Sequence, residues 1–163
     1  MPDPNADRDH RSRLQRLGRV WIDWPTYFIT TCTFKRRPIL ASNEVARILA
    51  DELRDAHDRH GWAIGRYVIM PDHVHFFCAP FDHGFTLKQW MNFWRNGFTK
   101  AWQLKGDKPI WQKDYWDTQL RRGESYTSKW EYVRQNPVRS GLLIKAEHWL
   151  YQGELETLPW LEV

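Results

Sequence analysis

Two kinds of hydrophobic spacing alternate along the chain and predict its regular elements. Runs of β-branched and aromatic residues predict strands, and apolar residues three and four apart predict helices. On this basis we expect strands at 26–34, 62–70, 73–79 and 110–120, and helices at 44–60, 86–104 and 125–135. The last helix is expected to stop at Asn136-Pro137, because the residue before a proline resists the α conformation.

The order of these elements is β-α-β-β-α-β followed by one more helix. It predicts the α+β class, with a ferredoxin-like antiparallel sheet and an added C-terminal helix that carries a tyrosine. The 163 residues suffice for one domain. We expect a basic arm at 1–22, the domain at 23–145, and a docked tail at 146–163 that is irregular from Gly141 onward. This fold hosts many activities, so the function must be argued from particular residues.

The composition indicates the cellular compartment of the protein more clearly than it indicates its function. The 24 Lys and Arg against 20 Asp and Glu give a net charge of +4, which fits a polyanionic partner without establishing one. Cys32 and Cys78 each lie in an apolar stretch, which predicts buried thiols in a reducing compartment. There is no signal-peptide pattern, and no apolar run approaches the roughly 18 residues that span a bilayer. We expect a cytoplasmic protein with no membrane partner.

The first candidate for chemistry is His73-Val74-His75 in the third strand. Residues i and i+2 of a strand point to the same face, about 7 Å apart, so the two imidazoles can reach one divalent cation. Val74 then points into the core. A lone His-X-His pattern is common, and two histidines on a solvent-facing strand surface remain the alternative.

The second candidate is the pair Tyr132 and Asn136, four residues apart and therefore on one face of a continuous helix. An amide oxygen is a hard ligand suited to magnesium or manganese, and a cation is favoured near the negative end of a helix. The alternative is a core tyrosine and a simple helix stop. Tyr126 and Tyr115 are rival nucleophiles; Tyr132 is preferred because Tyr126 is out of phase with Asn136 and Tyr115 falls in a strand.

These motifs together resemble the REP-associated tyrosine transposases, a family within the HUH class, named for two histidines around a hydrophobic residue. The resemblance extends over nearly everything from Trp24 onward. Its segments, in chain order, are Tyr27-Phe-Ile-Thr, Val68-Ile-Met-Pro-Asp-His-Val-His75, Ile110-Trp-Gln, Tyr132-Val-Arg-Gln-Asn-Pro-Val-Arg-Ser-Gly-Leu142 and the stretch from Trp149 to Leu155. One departure is Asp72, where Asn is more often expected; we favour a role in the turn over tuning of His73.

The resemblance implies a metal-dependent enzyme that acts on single-stranded DNA. His73 and His75, with Asn136 as a third ligand, would bind Mg²⁺ or Mn²⁺, and Tyr132 would be the nucleophile. The implied reaction cleaves and rejoins DNA through a 5′-phosphotyrosine, beside a palindromic REP-type hairpin. Two alternatives stay open: a catalytically silent single-stranded nucleic-acid-binding protein on the same fold, and a metal hydrolase that uses the histidines with bound water.

Single-stranded DNA also needs a binding surface. Basic side chains at element ends are expected to follow the phosphates while aromatic rings stack on unpaired bases. The candidates are Arg36, Arg37, Lys100, Lys113, Arg121 and Arg122. A solvated basic face over a tryptophan-rich core is the alternative. We expect a monomer, with a dimer left open.

Overall fold

The computed structural model describes residues 25–82, 84–102, 108–120 and 123–158. The predicted basic arm at 1–22 and the candidates Arg121 and Arg122 lie outside these ranges. No helix within them is long and apolar enough to cross a membrane.

The centre of the protein is a five-stranded antiparallel sheet with the order β4-β1-β3-β2-β5. Its strands are β1 Thr26–Cys32, β2 Trp62–Ile69, β3 His73–Pro80, β4 Trp116–Leu120 and β5 Gln152–Glu154. Every neighbouring pair is antiparallel. The predicted α+β class and its β-α-β-β-α-β order are confirmed, and β3 lies in the middle of the sheet.

The helices are α1 Asn43–His60, α2 Leu87–Trp102, α3 Gly123–Val133 and α4 Asn136–Arg139. The start of α1 is capped by Ser42, whose side-chain oxygen accepts a hydrogen bond from the Val45 N–H at 3.3 Å. The helix ends at Gly61, whose φ of 70° is the left-handed conformation that glycine adopts without a steric cost.

Two hydrophobic cores lie on opposite faces of the sheet. On one face, Phe76 of β3 packs edge-on against Trp90 and Trp94 of α2, at 5.6 and 5.4 Å between ring centres. On the other face, Phe77 packs against Tyr126 of α3 at 4.3 Å. Successive strand residues alternate between faces, so the odd-numbered positions of β3 point towards α3. This alternation decides where the histidines at the start of β3 point.

The fourth strand is shorter than predicted, because it begins at Trp116 rather than at residue 110. Trp111 forms only an isolated bridge with Thr33 of the segment after β1. Beyond it, the main-chain oxygens of Gln112 and Lys113 accept hydrogen bonds from the Arg95 side chain of α2 instead of joining the ladder. The buried guanidinium of Arg95 thus satisfies carbonyl groups that the strand ladder leaves unpaired, a contact that the sequence pattern does not reveal.

The predicted helix end before Asn136-Pro137 is confirmed, at Val133 rather than at residue 135, but a second short helix begins there. The chain leaves α3 after Val133, makes a turn, and starts α4 at Asn136, with Pro137 buried in its first turn. Proline is well tolerated there, because the N–H that it lacks has no partner at the start of a helix. Tyr132 and Asn136 consequently lie on two separate helices.

The tail was expected to be irregular and instead supplies β5. Its Gln152 and Gly153 pair with Val68 and Tyr67 of β2. The Trp149 side chain anchors the preceding residues, since its indole N–H donates to the Ile69 carbonyl at 3.0 Å. The described part of the tail therefore packs on β2; the domain boundaries themselves stay a prediction.

Candidate active site

The two predicted histidine positions are adjacent on the α3 side of the central strand. His73 is the first residue of β3 and lies opposite Cys32 of β1, and His75 lies opposite Thr30. Their ring centres are 4.7 Å apart and the ring planes nearly perpendicular, at 81°. Val74, between them, is fully buried on the other face. The fold brings the pair together as the spacing predicts, while their role as metal ligands stays a prediction.

Each imidazole is held through its Nδ1 atom. His75 Nδ1 lies 2.8 Å from Thr30 Oγ1, and His73 Nδ1 lies 2.7 Å from Asp72 Oδ1. A proton on each Nδ1 satisfies both contacts and leaves a lone pair on each Nε2. Such a second partner fixes the tautomer and orientation of metal-binding histidines. The site thus offers two oriented nitrogen donors side by side.

Asp72 connects the histidine pair to Arg36. One carboxylate oxygen contacts His73, and the other accepts from Arg36 Nε at 2.8 Å. Burial would raise the pKa of Asp72, but the bond with His73 and the charge of Arg36 outweigh it, so the pKa lies below its usual value. Both oxygens are engaged with side chains, so the expectation that Asp72 serves the turn is wrong.

An unusual turn after β1 precedes this contact. Lys35 and Arg36 both have positive φ, at 57° and 54°, in the left-handed region that residues other than glycine seldom adopt. From this turn Arg36 also donates to the Cys32 thiol at 2.8 Å. Sustained left-handed residues often mark functional sites, where neighbouring contacts hold them. Here the Arg36 bonds to Cys32 and Asp72 do so.

Burial keeps both imidazoles neutral near pH 7. It lowers the pKa of His73, and the carboxylate of Asp72 only partly opposes this effect. It lowers the pKa of His75 to about 3, with further contributions from His73 and from three nearby cationic side chains, Lys129, Arg139 and Arg36. A neutral imidazole is the form that binds a metal. The pair therefore remains competent to bind a metal into mildly acidic solution.

Tyr132 is exposed, with 65% of its surface accessible, in the last turn of α3. The guanidinium carbon of Arg139 lies 4.1 Å from the centre of its ring. Arg139 also donates a hydrogen bond to Asn136 Oδ1. The alternative of a core tyrosine is therefore wrong. Tyr132, Asn136 and Arg139 form one cluster, although a turn separates α3 from α4.

The two rival tyrosines occupy different environments. Tyr126 is buried at 9% exposure, and its hydroxyl accepts a hydrogen bond from the Arg66 N–H at 3.2 Å. Tyr115 packs against the core on the opposite face of the sheet from the histidines. Neither presents its hydroxyl as Tyr132 does. The geometry therefore favours Tyr132 as the candidate nucleophile.

Lys129 and Arg139 are site residues that the sequence analysis missed. Lys129 Nζ lies 4.9 Å from the ring centre of Phe28, and Phe28 stacks on His75 with 5.3 Å between ring centres. Val133, the neighbour of Tyr132, belongs to the core that contains Phe28 and Phe77, so the Tyr132 cluster lies on the histidine side of the sheet. Lys129 precedes Tyr132 by three residues, so helical spacing could have indicated it. No spacing rule indicates Arg139, since the helix is interrupted before it.

A metal at this site would rely on few protein ligands. No group of three His, Cys, Asp or Glu side chains within the described ranges is arranged to hold a metal ion. The available donors are the Nε2 atoms of His73 and His75, with Asn136 Oδ1 as a third. That oxygen accepts a hydrogen bond from Arg139 and keeps a second lone pair that a metal could use.

The predicted DNA-binding cations occupy different parts of the surface. Arg36 contacts Asp72 in the site. Lys113 is exposed on the segment between Trp111 and the start of β4. Lys100 is exposed on α2, on the other side of the sheet. Arg37 is turned to the main chain, with Nη2 2.7 Å from the Pro109 oxygen. Arg36 is thus placed next to the histidines, and Lys100 is not; all of the predicted DNA contacts remain predictions.

Fold and site together define a small α+β protein with a histidine pair on its central strand and an exposed tyrosine on a C-terminal helix. The chain is similar to the REP-associated tyrosine transposase of Escherichia coli (strain K12), with 26% identity over 137 residues, covering 83% of this chain and 80% of that protein. No family model matches the chain. The resemblance to REP-associated tyrosine transposases that the motifs predict is confirmed.

Two solved structures share the fold. One is a REP-associated tyrosine transposase bound to a REP hairpin, with a TM-score of 0.67 and 21% identity over 85% of this chain and 92% of the other. The second, from Deinococcus radiodurans, was solved as a candidate transposase and has a TM-score of 0.52 and 19% identity, covering 68% of this chain and 88% of its own. They confirm the fold class predicted from the sequence.

Proposed function

We propose that this protein is a transposase and endonuclease of single-stranded DNA that binds a palindromic REP-type hairpin and cleaves beside it. A single observation carries the proposal: exposed Tyr132, under the Arg139 guanidinium, lies on the same side of the sheet as the paired neutral imidazoles of His73 and His75. The name of the Escherichia coli relative and the hairpin bound in the similar solved structure support the same substrate.

In this proposal Tyr132 forms a covalent intermediate with DNA. Its phenolate oxygen attacks the scissile phosphorus, the bond to the 3′ oxygen breaks, and a 3′-hydroxyl end is released. The 5′-phosphotyrosine conserves the energy of the phosphodiester, so a later attack by a 3′-hydroxyl can rejoin DNA and free the tyrosine. The hydroxyl proton of Tyr132 leaves as its oxygen bonds to phosphorus, and the released 3′ oxygen takes up a proton.

The proposed metal, Mg²⁺ or Mn²⁺, would be held by His73 and His75 through Nε2 and by Asn136 through its amide oxygen. A bound divalent cation draws charge from the non-bridging phosphate oxygens. The donor set fits because both imidazoles are neutral and are oriented through Nδ1. Arg139 would also have further N–H groups available to pair with a phosphate oxygen of the DNA. One chain supplies all these groups, which supports a monomer as the active form.

The proposal is tested by incubating the protein with a labelled hairpin that carries single-stranded flanks, with Mn²⁺ or Mg²⁺, followed by a denaturing gel. We expect a covalent protein–DNA adduct together with a shorter strand that ends in a 3′-hydroxyl. A chelator should abolish the adduct and leave most of the hairpin binding, which is measured in parallel on a native gel. An adduct that forms equally well without divalent ions would contradict the metal assignment.

A catalytically silent nucleic-acid-binding protein is the second candidate. It is favoured by the small donor set, because no three His, Cys, Asp or Glu side chains within the described ranges are arranged to hold a metal ion. Such a protein would bind the hairpin with an affinity that falls as salt rises. It would form no adduct with any flank sequence or either metal. The same gel therefore separates the two candidates.

Replacing Asp72 should show whether its carboxylate orients His73. We expect Asp72→Ala to weaken Mn²⁺ binding by about 10- to 100-fold, as is usual when the partner of a metal-binding histidine is lost. Asp72→Asn keeps an oxygen that accepts from Nδ1–H and should have a smaller effect. Titration calorimetry with Mn²⁺ measures both variants. The control is Asp51→Ala, which removes an exposed carboxylate of α1 that pairs with Arg54; equal affinity in Asp72→Ala and this control would contradict the orienting role.

A further inference from the structure

Among the tryptophans within the described ranges, only Trp116 is exposed. It lies at the start of edge strand β4, and 59% of its surface is accessible. Trp90 and Trp94 of α2 are almost completely buried, as expected for a ring that contributes so much to a core. An indole that is exposed on a strand does not provide the stabilisation that its burial in the core would give. Nothing in the packing of the described residues accounts for its place.

The sheet register puts Trp116 in one row with His75. Thr30 of β1 lies opposite Trp116 on one side and opposite His75 on the other. Residues directly opposite each other in an antiparallel pair point to the same face. The bond of 2.8 Å between Thr30 Oγ1 and His75 Nδ1 agrees with this, and Leu120, four residues after Trp116, joins the core on the α3 side.

The row is short and remains open to solvent at its Trp116 end. Two strand spacings separate the Trp116 and His75 backbones, which is about 10 Å. Thr118, the next residue of β4 on this face, is also exposed. One DNA strand can therefore place a phosphate at the histidines and lay a neighbouring base on the indole.

The surrounding charges select the kind of ligand. Lys129 lies over the ring of Phe28. Phe28 is opposite Thr118 in the sheet register, and Thr118 is the next residue after Trp116 on this face of β4. Arg36 bonds to Asp72, the partner of His73, and Arg139 lies over the ring of Tyr132. The carboxylate of Asp117 belongs to the opposite face by strand alternation. An exposed ring bordered by cations fits a ligand that is both planar and anionic, as an unpaired nucleotide is.

We propose that Trp116 stacks on an unpaired base next to the scissile phosphate and so fixes which phosphate reaches the histidines. The inference rests on the proposed function, because it takes single-stranded DNA as the ligand of this site. Stacking on an aromatic ring tolerates all four bases. Trp116 thus sets the position of the cut along the strand and leaves the choice of base to other contacts.

The test is a scan of abasic positions along the single-stranded flank, with binding measured by fluorescence anisotropy. All proteins carry Tyr132→Phe, so that cleavage does not perturb the equilibrium. With Trp116 intact, one abasic position is expected to weaken binding by about tenfold. Trp116→Ala should lose about tenfold on intact DNA and become insensitive to that one position. Trp116→Phe, which keeps a ring, should retain most of the affinity.

Phe93→Ala is the matched control, because Phe93 is an exposed aromatic residue of α2 with 47% accessibility on the other side of the sheet. It should bind like the parent at every position. The inference is overturned if Trp116→Ala binds intact DNA like the parent, or if it keeps the sensitivity to the abasic position. A failure of the proposed function is distinct: wild-type protein then gives no adduct, whatever the scan shows.

Discussion

Tyr132→Phe is expected to abolish the covalent protein–DNA adduct and to lower the cleavage rate by more than about 10³-fold, as loss of a nucleophile does in other enzymes. Phenylalanine lacks the oxygen that attacks phosphorus. It keeps the ring beneath Arg139, so the cluster with Asn136 should survive. The measurement is the adduct gel with time points, together with hairpin affinity, which should change little.

Two matched substitutions make this result specific to one hydroxyl. Tyr115→Phe should form the adduct at close to the wild-type rate, because Tyr115 packs on the opposite face of the sheet. Tyr126→Phe loses only the hydroxyl that meets the Arg66 N–H, and should also form the adduct. An adduct that persists in Tyr132→Phe would move the nucleophile elsewhere. Cleavage that continues without an adduct would indicate a metal hydrolase.

His75→Ala is expected to abolish measurable Mn²⁺ binding and to lower cleavage by more than about 100-fold, while hairpin binding persists. The substitution removes one of two adjacent nitrogen donors, and a single imidazole with an amide holds a hard cation poorly. Titration calorimetry with Mn²⁺ gives the first readout and the adduct gel the second. Because calorimetry needs no DNA, it tests the metal site independently of catalysis.

His57→Ala is the control for this substitution. His57 lies near the end of α1, pairs with Glu156 and stacks on Phe81, away from the histidine pair. It should bind Mn²⁺ and form the adduct like the wild type. Mn²⁺ affinity equal to the wild type in His75→Ala would contradict the metal site. Loss of hairpin binding in a variant that still unfolds cooperatively would instead assign His75 to direct DNA contact.

The histidine pair could be predicted from sequence because backbone geometry alone determines it. Once 73–79 forms a strand, residues two apart must share a face, and Val74 between the histidines must point to the other face. The element order was predictable for a similar reason, since it depends on hydrophobic periodicity. The histidine pair and the element order both follow from the local sequence pattern, and neither depends on contacts between distant parts of the chain.

The contacts that complete the site could not be predicted, because they depend on tertiary structure. The bond between Arg36 and Asp72 needs left-handed Lys35 and Arg36, and nothing in Lys-Arg-Arg-Pro favours that conformation over an extended one. The position of Asn136 depends on whether proline ends one helix or begins the next. Sequence permits both, and packing of the buried Pro137 accompanies the second.

The three residues of β5 also have a consequence for how the protein behaves at high concentration. Without them, β2, eight residues long and largely apolar, would be an outer strand of the sheet. An uncovered strand of that kind offers its free N–H and C=O groups to any extended chain, and so invites intermolecular sheet growth. β5 covers Arg66, Tyr67 and Val68 and is itself too short to template much pairing. The tail therefore covers part of a strand edge that would otherwise be open to pairing with another chain.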